Sequence, residues 1–124
     1  MVIQIEPDSV VPIYTQITQQ IIEGIARGDI KPGDLLPSVR TLAADLGVNM
    51  HTVNKSYHQL EEKGFLQILP KSGSKITSPD ELDPLTHERL AAELRPLIAE
   101  SLAIGMSEEE IVNLVQTIIR DILQ

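Results

Sequence analysis

Ile13, Ile17, Ile21 and Ile25 recur at every fourth position, with Ile22 beside them and Gln, Thr and Glu between. That one-sided stripe predicts a helix over residues 13–27, opened by Pro12 in the first turn and stopped at Gly28. Ile30-Lys31-Pro32-Gly33-Asp34 reads as a turn. Ser38 then suits an N-cap, Val39, Leu42, Ala43 and Leu46 supply the buried face of a second helix, and Gly47 ends it. Asn49 caps a third helix, with Val53, Ser56, Tyr57 and Leu60 inward and Gly64 closing it. Beyond Gly64 the period changes to two: Phe65–Leu69 and Ser74–Thr77, joined by Pro70-Lys71-Ser72-Gly73, predict a small hairpin. Ser78-Pro79-Asp80 reads as a linker.

The remainder predicts two helices. Leu90, Leu94, Leu97, Ile98 and Leu102 share one side of the first, Pro96 implies a bend or a break after Arg95, and Gly105 ends it. Ser107 and Glu110 form a capping box for the second, whose apolar face of Ile111, Leu114, Val115, Ile118, Ile119, Ile122 and Leu123 is too wide for one partner helix. The expected fold class is α+β, mainly helical: three helices and a β-hairpin over residues 1–78, then a two-helix tail over 79–124.

Composition changes this picture in two places. Aromatic residues make up only 2% of the 124-residue chain against 42% hydrophobic, so the core is built from Leu, Ile, Val and Ala, and there is no Cys to form a disulfide or supply a thiol. The start, MVIQIEPDSV, has neither a basic stretch leading into an apolar run nor the length of a membrane span, which leads us to expect a soluble cytoplasmic protein. The net charge of −8 is unevenly spread. Residues 1–78 carry seven Lys and Arg against eight Asp and Glu, whereas residues 79–124 carry three against ten. The acidity belongs to the tail, and the first part remains open to a polyanionic partner.

Two helices joined through Leu46-Gly47-Val48-Asn49 make a helix-turn-helix, which holds its second helix clear of the body and suits the major groove of DNA. The polar start of that helix then has a purpose. Asn49, His51 and Asn54 can donate or accept, Lys55 can pair with a phosphate or a guanine, Met50 can touch a thymine methyl, and Arg40 is placed for a backbone phosphate. Bland alternatives stand beside these. Arg40 is otherwise a solvated residue, Thr52 a local helix-start hydrogen bonder, Tyr57 a core residue, and Lys71 and Lys75 guards of a hairpin edge. No Cys or clustered carboxylate accompanies His51, His58 and His87, so we expect neither a metal nor any other cofactor.

The run L-P-S-x-R-x-L-A-x-x-L-G-V-N-x-x-T-V-x-K-x-Y-x-x-L-E-x-x-G at Leu35–Gly64, preceded by Pro12-Ile13-Tyr14-x-Gln16-Ile17 and by Gly28–Pro37, resembles the DNA-binding domain of the GntR family of bacterial transcription regulators. Asn49, Thr52, Lys55, Tyr57 and a C-terminal part of about 45 residues resemble its YtrA-like subfamily. That resemblance implies a winged helix-turn-helix and a cytoplasmic repressor without a large effector domain. It also implies dimerisation through a short helical tail and targets that include its own operon and neighbouring transporter genes. It places Arg40, Asn49, Met50, His51, Thr52 and Asn54 near DNA. Met50 and Asn54 stand where many relatives have Arg or Pro and Arg, which implies a different base preference. In the wing only Lys71, Ser72, Gly73 and Lys75 remain as candidates, because the usual pair of basic residues before Gly-x-Gly is missing.

The expected partners are double-stranded DNA, read as an inverted repeat, and a second copy of the chain. The tail dimer would use Leu90, Leu94, Leu97, Ile98, Leu102, Ile111, Leu114, Val115, Ile118, Ile119 and Ile122, and an unidentified small-molecule effector has room only between tail helices. A winged helix serving as a protein-interaction module is the alternative. An enzyme is not expected, since no phosphate-cradling Gly loop, metal-ligand spacing or nucleophile motif is present.

Overall fold

The isoleucine stripe forms α1 (Ile13–Arg27), entered from Pro12 and stopped by Gly28 in the left-handed conformation, φ 85°. A computed structural model describes residues 1–124 and divides them into two compact units, Met1–Leu82 and Asp83–Gln124. In the first unit, α1 is followed by β1 (Leu35–Leu36), α2 (Val39–Leu46), α3 (Met50–Glu62), β2 (Leu66–Leu69) and β3 (Gly73–Ile76), and a single 3-10 turn at Pro79–Glu81 closes it. The second unit is the pair α4 (Thr86–Ala103) and α5 (Glu108–Leu123). The chain is therefore mainly helical α+β, with a winged helix-turn-helix in its first unit.

The sheet corrects the expected two-stranded hairpin. Leu35–Leu36 adds a third antiparallel strand, giving the order β1-β3-β2 with Leu36 opposite Ser74 and Ile68 opposite Ser74 from the other side. Two residues are too few for an alternating pattern to register, but the pairing buries Leu36 and leaves Leu35 exposed. Ser78-Pro79-Asp80, read as a linker, instead starts the 3-10 turn, where the Ser78 N–H donates to Glu81 Oε1 at 3.1 Å. Nor does α4 break at Pro96: the helix runs through it. The missing N–H leaves only the Ala92 carbonyl without its helical donor, and Ala92 is exposed to water.

The core of the first unit gathers Ile17 and Ile21 of α1, Leu42 and Ala43 of α2, Val53, Tyr57 and Leu60 of α3, and Leu36, Leu66 and Ile76 of the sheet. Two hydroxyls lie within it. Thr18 and Ser56 bond to each other at 2.9 Å, and Thr18 also donates to the Tyr14 carbonyl, so α1 and α3 meet in one register with no buried hydroxyl left unpaired. A segment before α1 adds to the packing in a way the periodicity did not announce. Ile3 and Ile5 pack on the core while Gln20 pairs with both backbone groups of Gln4 and Gln16 with both of Glu6, at 2.8–3.0 Å. Four residues of helix rise about 6 Å, close to the two-residue repeat of an extended strand, so two glutamines one turn apart act as a partner strand for the arm.

Tyr57 ties α3 to the segment before α2. Its hydroxyl donates to the Pro37 carbonyl at 2.7 Å, and burial pushes its phenol up to about 12. The folded value lies above the ordinary one of about 10, so the folded state holds this proton more tightly than the unfolded chain does. The resulting stability is complete below pH 10 and is lost as pH rises from about 10 to about 12. We expect Tyr57→Phe to cost about 1–2 kcal/mol at pH 7 by stranding the Pro37 carbonyl. We also expect it to flatten the alkaline limb of a urea-unfolding series run from pH 7 to 11.5.

Candidate nucleic-acid interface

Between the last residue of α2 and the first of α3 stand only Gly47, Val48 and Asn49. Gly47 adopts φ 68°, and its N–H and that of Val48 return to the Ala43 carbonyl, so the chain reverses within three residues. Asn49 restarts it: its side-chain oxygen accepts the His51 N–H at 2.7 Å. The turn is tight because the N–H groups of Gly47, Val48 and His51 all find partners within it.

This geometry divides α3 lengthwise. Val53, Ser56, Tyr57 and Leu60 face the core, while Met50, His51, Asn54 and Lys55 are exposed in one row, with Thr52 half-buried at its edge. Arg40 is exposed in the first turn of α2. Among the cations of the first unit only Arg27 has an acidic partner, Asp29 at 3.0 Å, so Arg40, Lys55 and Lys71 carry charge that no carboxylate neutralises. The Lys55 ammonium instead lies over the ring of Tyr14, 4.2 Å from its centroid. The sequence reading gave Tyr14 no role, because a contact between two helices leaves no trace in the periodicity of either.

The wing presents its own candidates. Leu69-Pro70-Lys71-Ser72 closes with the Ser72 N–H on the Leu69 carbonyl at 3.2 Å, and Lys71 takes the third position at φ 68°. Glycine is the usual occupant there. Lys71, Ser72 and Gly73 are exposed at the tip, whereas Lys75 is half-buried on β3. Glu81 is held below the usual carboxylate range by the Ser78 N–H first, then by the Gln67 amide, with Lys75 adding its charge. No group of His, Asp and Glu is arranged to hold a metal ion, and no helix is long and apolar enough to cross a membrane.

In the second unit Leu90, Leu94, Leu97, Leu102, Leu114, Val115, Ile118 and Ile119 are exposed, Ile98 and Ile122 are half-buried, and Ile111 is buried. Between α4 and α5 runs an apolar groove of about 450 Å3, floored by Ile98, Ile111 and Val115.

Residues 13–76 match the profile described as bacterial regulatory proteins, gntR family. The chain belongs to the GntR family. It is a DNA-binding transcription regulator of the YtrA-like kind. The HTH-type transcriptional repressor YtrA of Bacillus subtilis is 48% identical over 75 residues, 60% of this chain and 58% of that one. The structure of YtrA from Sulfolobus acidocaldarius, a GntR-family transcription factor, is 43% identical over 98% of this chain and 100% of that one, with a TM-score of 0.63. A transcriptional antiterminator from Listeria monocytogenes reaches a TM-score of 0.89 at 30% identity, over 100% of this chain and 94% of its own. The AraR DNA-binding domain in complex with operator ORX1 superimposes on 60% of the chain, and on 92% of its own, with a TM-score of 0.54 at 28% identity.

Asn49 has two possible duties, the cap seen here and a contact to DNA, and one substitution separates them. Asp caps as well as Asn and suits a positive helix N-terminus, but adds a negative charge to the exposed row. Asn49→Asp should leave the melting temperature within about 2 °C of the parent, since the cap free energy changes little, and weaken DNA binding about tenfold through charge repulsion. Unchanged affinity in a fluorescence-anisotropy titration would leave Asn49 as a cap alone.

Proposed function

We propose that this GntR-family regulator is a repressor that binds an inverted-repeat operator as a homodimer, with α3 in the major groove and the wing tip against the neighbouring backbone. The observation that carries the reading is the lengthwise division of α3: one face fixed in the core, the other an exposed row of Met50, His51, Asn54 and Lys55. Met50, His51 and Asn54 then face base edges, while Arg40, Asn49, Thr52, Lys55, Lys71, Ser72, Gly73 and Lys75 border the phosphates. The name printed for the Bacillus relative, a repressor, supports the direction of control, and the AraR complex supports the mode of docking.

The dimer reading rests on the second unit. Ten large apolar side chains are exposed along α4 and α5, a surface that water disfavours and that a second copy would cover. Residues 1–78 would then serve as the DNA-binding domain and 79–124 as the dimerisation segment. An effector, if one acts, has the groove between α4 and α5 as its available space. Targets would include the protein's own operon and neighbouring transporter genes, and the site of action would be the cytoplasm.

Selection from a random-duplex pool, followed by titration of the winning duplex at several salt concentrations, tests the whole reading. The expected product is an inverted repeat whose half-sites lie about 34 Å apart, bound with a steep negative salt dependence. Arg40→Ala should weaken binding on every sequence and lower the slope of log K against log salt by about 1, while Asn54→Ala should change the preferred base at one position per half-site. An Arg40→Ala protein with parental affinity and slope would refute the phosphate role.

Ile118→Glu should convert the dimer to a monomer in light scattering coupled to size exclusion. Its half-site affinity should persist while affinity for the full repeat falls at least about 100-fold, the lower end of the gain from linking two sites.

A further inference from the structure

Lys55 is the one cation of the exposed α3 row, and the surface notch around it contains both charge and an aromatic face. Tyr14, Lys55, His58, Gln59 and Glu62 line that notch. The one carboxylate of the notch, Glu62, lies seven residues on from Lys55, beyond the three- or four-residue spacing of a helical ion pair, and His58 turns to Glu61 at 3.9 Å. The Lys55 ammonium lies on the Tyr14 ring instead.

The placement of that ring is fixed from behind. Tyr14 is in the first turn of α1, its carbonyl accepts from Thr18, and Thr18 bonds to Ser56, the residue after Lys55. One buried hydroxyl pair therefore sets the register that brings ring and ammonium together. An α-helix with its side chains nearly fills a major groove about 12 Å wide. Side chains at its front reach base edges; those drawn to one side face a phosphate strand. Lys55 is drawn toward α1, and Met50, His51 and Asn54 have no such tether.

We infer that Tyr14 is a positioning residue for DNA binding: its ring holds Lys55 on the α1 side of the recognition helix, committing the ammonium to a backbone phosphate and away from base edges. This rests on the proposal that α3 enters the groove. A free lysine loses much rotamer freedom when it settles on a phosphate, and the ring removes part of that freedom beforehand. Lys55 thus contributes affinity without sequence preference.

Tyr14→Leu, Tyr14→Phe, Lys55→Ala and the Tyr14→Leu/Lys55→Ala pair, each in the full chain, test this by anisotropy on the selected duplex and on single-base variants of it. Tyr14→Leu should weaken binding about two- to fivefold on every duplex, the range of one exposed cation–π contact. Tyr14→Phe keeps the aromatic face and should restore affinity. The Leu substitution should cost nothing further once Lys55 is Ala. In the free protein, the ring-current shift of the Lys55 ε-methylene protons should survive in Tyr14→Phe and vanish in Tyr14→Leu. The inference is overturned if Tyr14→Leu weakens binding equally with or without Lys55, if Lys55→Ala alters the preferred base, or if no ring-current shift is seen. If the parent binds and Arg40→Ala weakens it while Tyr14→Leu does not, this assignment alone falls. If the parent selects no DNA at all, the groove reading falls and takes the assignment with it.

Discussion

A helix that reads DNA must be held rigidly along one side and left bare along the other, and α3 satisfies both demands within thirteen residues. The hold comes from the Thr18–Ser56 hydroxyl pair and the Tyr57–Pro37 bond, 2.9 and 2.7 Å long, with Val53 and Leu60 buried about a turn before and a turn after them. Apolar packing alone would tolerate small slides of α3 along its axis, because dispersion contacts are individually weak and non-directional. Directional bonds from a buried Ser and Tyr remove that freedom. Their cost would be high if either lost its partner in so small a core, so the polar contacts that define the register are also the ones that cannot be made elsewhere.

The helical part of the fold could be read in the sequence because each helix carries its own stripe and its own stop. The apolar positions of α1, α2 and α3, the caps at Ser38 and Asn49, and the glycines at 28 and 47 are local signals, and local signals survive without knowledge of the fold. What escaped was non-local. β1 is a strand only because β3 lies beside it. The arm before α1 is ordered by the side chains of Gln16 and Gln20, residues that on a helix look like ordinary solvated polars. Pro96 shows the reverse: of the bend or break that the sequence offered, no break occurs, because the local rule for helix breaking is overridden where water can take over the orphaned carbonyl. The candidate DNA contacts divide the same way. The exposed row on α3 followed from periodicity, while the contact between Tyr14 and Lys55 required two helices to be placed together.

The wing tip joins these two levels. Lys71 holds a left-handed conformation that glycine adopts without strain and lysine does not, and Pro70 beside it fixes the preceding torsion. A long cation is thereby projected from a rigid turn and not from a flexible loop, at the cost of order 1 kcal/mol or more in backbone energy. Lys75, two strand residues from the tip, is instead half-buried in the regular backbone of β3. The two lysines of one short hairpin consequently differ in how freely their charge can be used, although the sequence presents them as equivalent.

Charge arithmetic links the two units. Arg40, Lys55, Lys71 and the half-buried Lys75 are the cations available at the candidate surface of one copy, and salt competition scales with the number of phosphates neutralised, with a slope near −0.9 for each. Three or four contacts hold DNA weakly at physiological salt, far from the affinities that distinguish an operator from the bulk of a genome. Doubling the contacts by pairing two copies, as proposed above, would be the economical remedy, and the Leu, Val and Ile side chains exposed on α4 and α5 would supply the means. Residues 79–124 also hold ten of the eighteen acidic residues, seven of them on α4 and α5, and of these Glu100 alone lines the apolar groove. Acid on the remaining faces of α4 and α5 keeps the tail soluble and disfavours its own approach to phosphate, so the only surface it offers for burial is apolar. In the proposed dimer the two associations would be separated by chemistry: counterion release would govern one and hydrophobic burial the other, so salt would weaken the first while leaving the second in place.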